Sequence, residues 1–237
     1  MKSFEDLIKN TKMLEDKIGY RFHDKQILYQ ALVHKSYANE WPEKTDFHNE
    51  RLELLGDAVL GLIIVDILFN RFKDFSEGKL SILKATLVDA PACANYMLML
   101  GINEYILLGR GEYQSSGMQK ENIMADGFEA LVAAIYLDGG LEKAKAFILK
   151  NFSETIEKSI ASPRQNYKAN LQDFCQKNRH PTPSYSVVDE MGPDHAKTFI
   201  VKVTVAKIVQ AEGQGSSKKD AEQEAAKNAL KKIEEDL

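Results

Sequence analysis

The chemically informative feature of this chain is a set of acidic side chains at helical spacing inside apolar surroundings. The segment Asn49-Glu50-Arg51-Leu52-Glu53-Leu54-Leu55-Gly56-Asp57 sets Glu53 and Asp57 four residues apart, and Glu50 and Glu53 three apart. At about 100° per residue, a helix brings these three acids within about 60° of one face. A second pair, Asp126 and Glu129, has the three-residue spacing again. Asp57 is followed by Ala-Val-Leu-Gly-Leu-Ile-Ile-Val, and Glu129 lies between Phe128 and Ala-Leu-Val-Ala-Ala-Ile. Acids at such spacing usually mark a solvated face. Ionised carboxylates beside an apolar core are costly unless something compensates them. Arg51 can pair with one acid, but not with four. A divalent cation is the economical compensation, and oxygen ligands from Glu53, Asp57, Asp126 and Glu129 suit Mg²⁺ or Mn²⁺. Such an ion binds phosphate oxygens, generates hydroxide from water and stabilises an oxyanion leaving group.

Other chemistries find little support. Cys93 and Cys175 have no partner at metal-ligand spacing, which argues against a cysteine zinc site and a disulfide framework. Cys93 is expected to fill a helix interface, and His34 and His48 read as surface or packing histidines. No Gly-rich loop ends in Lys-Ser/Thr, so no nucleotide cofactor is expected. Gly109-Arg110-Gly111-Glu112 reads as a turn. Ser115-Ser116-Gly117 lacks the apolar strand of a nucleophile elbow. The longest apolar run, Ala58 to Val65, is far short of the roughly 20 residues that cross a bilayer. The first ten residues carry acids and no apolar core, so no secretory signal and no membrane partner are expected. The low cysteine count points to the reducing cytoplasm.

The elements that must hold these acids read as helix after helix. Leu52, Leu55, Val59, Leu62 and Ile63 recur at three- and four-residue spacing, as do Phe128, Leu131, Val132, Ile135 and Tyr136. Glycines and prolines fall mainly between such segments, at Gly78, Pro91, Gly101 and Gly139-Gly140. No alternating strand pattern precedes residue 180. The helical pattern through Lys150 to Ile160 is broken at Ala161-Ser162-Pro163-Arg164-Gln165-Asn166. This predicts an all-α domain over residues 1–161, a linker over 162–166 and a second domain over 167–237.

The second domain reads as α+β, in the order α-β-β-β-α, with two helices on one face of an antiparallel sheet. Tyr167 to Lys177 is expected to be helical. Phe199, Val201, Val203 and Val205 alternate with more polar positions, as in a strand with one buried face. Lys207 to Glu212 is expected to form a further strand, and Ser217 to Ile233 a helix with Ala221, Ala225, Ala229 and Ile233 along one stripe. The net charge of −4 hides an asymmetry: residues 1–163 carry 19 basic and 24 acidic side chains, whereas residues 164–233 carry 12 and 8. Ser217, Lys218 and Lys219 open the last helix, where backbone amides and ammonium groups converge on phosphates. Gln172 and Gln176 on the first helix, the loop around His195 and that basic helix start together suit one face of an A-form duplex.

Asn49 to Asp57 resembles the signature of ribonuclease III. Glu77-Gly-Lys-Leu-Ser-Ile-Leu-Lys-Ala-Thr-Leu-Val88 and Ala125-Asp-Gly-Phe-Glu-Ala130 resemble two further segments of that endonuclease domain. Residues from about Asn166, including Gly192-Pro-Asp-His195 and Lys218-Lys-Asp-Ala-Glu222, resemble its C-terminal double-stranded-RNA-binding domain. The resemblance implies a Mg²⁺-dependent endoribonuclease, with Mn²⁺ as a substitute. It would cut double-stranded RNA to 5′-phosphate and 3′-hydroxyl ends with short 3′ overhangs, in the processing of ribosomal, messenger and other structured RNAs. It implies a metal set of Glu53, Asp57, Asp126 and Glu129, with Asp57 and Glu129 catalytic. Glu50 and Glu77 would line the cleft of a homodimer, and Gln172, Gln176, His195, Ser217, Lys218 and Lys219 would contact RNA. Leu54 departs from the pattern: many family signatures have phenylalanine there, inserted into the partner subunit. The competing readings are a non-cleaving duplex-RNA-binding regulator and a DNA nuclease, the latter disfavoured by the A-form-reading module.

Overall fold

The computed structural model describes residues 2–115, 117, 120–161, 167–192, 197–206 and 208–235. The chain forms two compact units, Met1–Pro163 and Arg164–Leu237. The first is built from α1 (Phe4–Lys9), α2 (Thr11–Ile18), α3 (Lys25–Ala31), α4 (Lys35–Glu40), α5 (Glu50–Arg71), α6 (Glu77–Val88), α7 (Ala90–Leu100), α8 (Arg110–Gln114), α9 (Glu121–Gly139) and α10 (Leu141–Ala161). Among the described residues of this unit, the only β pairing is an isolated parallel bridge, Val33 to Leu107.

The element ends follow from capping chemistry. Ser3 and Asp6 form a reciprocal capping box at the start of α1. Asp89 caps α7, and Pro91 sits in its first turn, where a missing N–H costs nothing. Gly101 and Gly140, at φ of 62° and 82°, end α7 and α9. Gly78 does not separate segments; it lies in the first turn of α6. Nor is Gly109-Arg110-Gly111-Glu112 a simple turn. It opens the short helix α8, because the Glu40 carboxylate accepts the free Arg110 N–H at 2.9 Å.

Helix α9 is the hub. It packs against α3, α5, α7 and α10, and its side chains from Ile123 to Ile135 are almost all buried. That explains its near-continuous apolar sequence, since a helix covered on most sides keeps little polar face, here Asp126 and Glu129. Tyr96 of α7, Phe128 of α9 and Phe147 and Phe152 of α10 form an aromatic cluster with ring centroids 4.7–6.3 Å apart. The tightest crossing is between α5 and α9. A Cβ added at Gly56 would lie 1.8 Å from the Glu129 carbonyl oxygen and 3.0 Å from its Cα. Only glycine allows two backbones to approach this closely.

The second unit contains α11 (Tyr167–Lys177), β1 (Ser184–Met191), β2 (Thr198–Val205), β3 (Val209–Gly215) and α12 (Lys218–Glu235). The three strands are antiparallel in the order β1-β2-β3. Register pairs Val201 with Gly213, Val203 with Ala211 and Val205 with Val209. This face forms one core with Leu171 and Cys175 of α11 and Ala221, Ala225 and Ala229 of α12. Strand β3 begins and ends later than its sequence suggests. Ala206, at φ of 44°, turns the chain, and pairing then continues through Gly213 and Gly215. Glycine suits those places because a Cβ at Gly213 would lie 2.0 Å from the Ala225 nitrogen.

Gly56→Ala is expected to destabilise the protein by about 2 kcal/mol or more, because the overpacking strain exceeds the gain in helix propensity. Gly78→Ala, with nothing within 4 Å of the added Cβ, should be neutral or stabilising by up to about 1 kcal/mol. Urea unfolding of both variants checks this, and equal stabilities would contradict the close-approach account.

Candidate active site

The α5–α9 crossing assembles the acids. Glu53 lies one turn before Gly56 on α5, and Asp126 and Glu129 flank the matching turn of α9. Glu53, Asp126 and Glu129 each offer a carboxylate oxygen within 4.8 Å of the others, and all three side chains are half-buried. Asp57 stands one turn further along α5, exposed, outside this three-atom set. Its charge still reaches Glu129 and Glu53.

Burial and mutual repulsion set the electrostatics. Burial, then the charges of Asp57, Asp126 and Glu53, push the Glu129 carboxyl up to about 7. Burial also raises Asp126. Burial followed by the charges of Asp126 and Glu50 raises Glu53. Three hard oxygen donors that resist ionisation alone fit a small divalent cation, whose charge would offset the burial and the repulsion that hold their protons.

The surrounding groups occupy different positions. Glu50 sits at the first position of α5 and pairs with Lys35 Nζ at 2.6 Å; that pairing holds its carboxyl below the usual range. Its Oε2 is 3.7 Å from His48 Nδ1. Glu77 is exposed in the first turn of α6. His34 is the N-cap of α4 and accepts the Ser36 N–H at 3.2 Å; burial lowers its pKa. Cys93, fully buried on α7, fills the helix interface as expected; its Sγ donates to the Val88 carbonyl oxygen at 3.7 Å, and its thiol and the Glu129 carboxyl influence each other electrostatically. Burial and the Glu129 charge push that thiol up. Spacing could not reveal Lys35 or Cys93, because each meets its acid from another helix.

In the second unit, Gln172 and Lys219 line one cavity of about 330 Å³ with Lys168 and Tyr185. Gln176 is exposed one turn beyond Gln172 on α11. Ser217 caps α12, accepting the Asp220 N–H at 3.1 Å. Lys218 diverges from Lys219: it pairs with Glu190 at 3.0 Å and lies over the Phe199 ring. His195 falls outside the described residues.

Residues 24–156 match the family described as Ribonuclease-III-like, and residues 167–233 match the double-stranded RNA binding motif. The chain is 47% identical over 234 residues to "Ribonuclease 3" of Protochlamydia amoebophila, covering 99% of this chain and 96% of that protein. The chain belongs to the ribonuclease III family. It is 42% identical over 221 residues to "Ribonuclease 3" of Bdellovibrio bacteriovorus, covering 92% of this chain and 94% of that protein. A crystal structure of the nuclease domain of Campylobacter jejuni ribonuclease III superposes with a TM-score of 0.56 at 39% identity, covering 66% of this chain and 99% of that one. As a member of this family, the protein is a double-strand-specific endoribonuclease.

Because the Glu129 pKa is raised, its protonated form belongs to the folded state. That stabilisation is fully present below the unfolded carboxylate pKa near 4.5 and is lost as pH rises through about 7. The metal-free Glu129→Gln variant is therefore expected to match the wild type near pH 4 and to exceed its stability at pH 8 by about 1–3 kcal/mol. Urea unfolding in EDTA at both pH values is the measurement; a difference independent of pH would contradict it.

Proposed function

We propose that the protein hydrolyses double-stranded RNA with Mg²⁺ to give 5′-phosphate and 3′-hydroxyl ends with short 3′ overhangs. The observation that carries this reading is the meeting of Glu53, Asp126 and Glu129 from two helices, in a chain that also carries a double-stranded RNA binding motif. Glu53, Asp126 and Glu129 would hold the ion, with Mn²⁺ able to substitute, and Asp57 would complete the acidic set. The bound ion supplies positive charge for the scissile phosphate, a more acidic water and neutralisation of the leaving 3′ oxygen. Glu129 would hold the ion as its carboxylate, giving up the proton that burial and neighbouring charges favour. Asp57, outside the half-buried triad, would orient the attacking water and handle its proton. Loss of an acid would favour the non-cleaving regulator, and all four acids are present.

We divide the chain into a nuclease domain over 1–161, a linker over 162–166 and an RNA-binding domain over 167–237. Gln172, Gln176, His195, Ser217, Lys218 and Lys219 are assigned to RNA contact. The protein is assigned as a homodimer. Leu54, 77% exposed, lies on one stripe of α5 with exposed Leu62, Val65 and Phe69, and such a face suits a second copy. The solved nuclease domain of Campylobacter jejuni ribonuclease III has structural flexibility in a region involved in dimer formation. Two clusters in a two-fold dimer would serve the two antiparallel strands, with Glu50 and Glu77 lining the cleft. Processing of ribosomal RNA precursors, messenger RNAs and other structured RNAs fits this chemistry. Two buried free thiols fit the reducing cytoplasm, and no described helix is long and apolar enough to cross a membrane.

Glu129→Gln should lower cleavage of a long RNA duplex by more than roughly a hundredfold, while duplex binding in Ca²⁺ persists. Near wild-type cleavage at limiting Mg²⁺ would remove Glu129 from the metal set. Lys219→Ala should reduce the salt slope of binding by about one. Lys218→Ala, already paired with Glu190, should reduce it less. A filter-binding salt titration separates them.

A further inference from the structure

Lys35 is a cation that the fold delivers to the edge of the acidic cluster. Its position is set by three backbone hydrogen bonds around the start of α4. The His34 N–H donates to the Leu107 carbonyl at 3.0 Å, and the Leu107 N–H donates to the Leu32 carbonyl at 2.8 Å. The Asn49 N–H donates to the Val33 carbonyl at 2.9 Å, which ties this segment to the start of α5. Lys35 Nζ consequently meets Glu50 Oε1 at 2.6 Å, with both side chains about half-exposed. The lysine charge also acts on Glu53 and Asp126, two members of the acidic triad from two helices. Other titratable groups around this place are His34 beside it, His48 before α5 and Glu112 of α8, which is engaged by Lys120 at 2.5 Å.

We propose that Lys35 is a phosphate-contacting residue at the rim of the cleft, exchanging its Glu50 partner for a backbone phosphate oxygen of bound RNA. Three considerations carry it. An exposed ion pair contributes little to stability, so releasing Glu50 is inexpensive. An ammonium on a flexible stem is a suitable point charge for a phosphate. A cleft lined by acids repels RNA, and a rim cation beside the ion site counters that repulsion. The same charge opposes cation binding at the acids. Lys35 thus acts in opposite directions on the two ligands of the cleft: it weakens metal binding and strengthens RNA binding. A lysine with only a structural role would shift neither, and general loosening of the site would weaken both.

This inference rests on the reading of the cleft as a metal-dependent RNA nuclease site. Full-length wild type, Lys35→Gln and Lys35→Arg would be compared. Mn²⁺ affinity without RNA is read from the free-ion EPR signal. Duplex RNA affinity is read against monovalent salt at saturating Ca²⁺. Lys35→Gln is expected to tighten Mn²⁺ by roughly two- to fivefold and to lower the salt slope by about one per protomer. Lys35→Arg should restore both values. An unchanged salt slope, or Mn²⁺ binding that is unchanged or weaker in Lys35→Gln, would overturn the proposal. Failure of the wild type to bind Mn²⁺ and to cleave the duplex in Mg²⁺ would instead overturn the functional reading beneath it.

Discussion

The nuclease unit depends on one backbone-to-backbone contact, the approach of α5 to α9 at Gly56. A single absent methyl group lets the Glu129 backbone sit against the α5 helix. Glu53 is thereby brought within ligand distance of Asp126 and Glu129. Any side chain at that crossing would separate the helices by more than the tolerance of a small cation's oxygen cage. The surrounding helices serve this crossing. Helix α9 is buried over most of its length, so its position is over-determined by α3, α7 and α10. Close packing leaves such a helix little room to shift.

That rigidity has an electrostatic consequence. Acids held together beside a core cannot all ionise, and the most buried of them, Glu129, retains its proton to about neutral pH. The site stores unfavourable charge that a cation relieves, which links metal affinity to proton release. The same logic extends outward: the pairs that soften the negative charge are exposed ones, such as Lys35 with Glu50. Exposed pairs are weak and exchangeable, whereas the triad is not free to rearrange.

The RNA-binding unit uses small residues for a different purpose. Gly213 and Gly215 on β3 lie against α12, whose inner stripe is Ala221, Ala225 and Ala229. Close seating of a thin helix on a small sheet fixes where the helix starts. Lys219 then shares a cavity with Gln172 of α11, while Lys218 is drawn to Glu190 on β1. Two adjacent lysines of one motif thus acquire different electrostatic neighbours, because successive residues on a helix point about 100° apart.

Much of this architecture was legible in the residues. The helical periodicities of α5 and α9, the alternation in β2 and the alanine stripe of α12 report burial directly, since a face that packs must be apolar at the period of its element. The acids stood out for the same reason: their types contradicted their neighbours. The start of β3 and the short helix α8 were not legible. A turn at Ala206 and a carboxylate cap from Glu40 decide them, and neither leaves a local pattern. The sequence by itself determined which residues could carry the chemistry and which helices bore them. Only the tertiary structure decided that Glu53, Asp126 and Glu129 form the close set while Asp57 stands a turn away, and that Lys35 and Cys93 attend them. Spacing along one helix constrains angle about that helix alone. Distances between helices are set by where their backbones cross, and here that is set by Gly56.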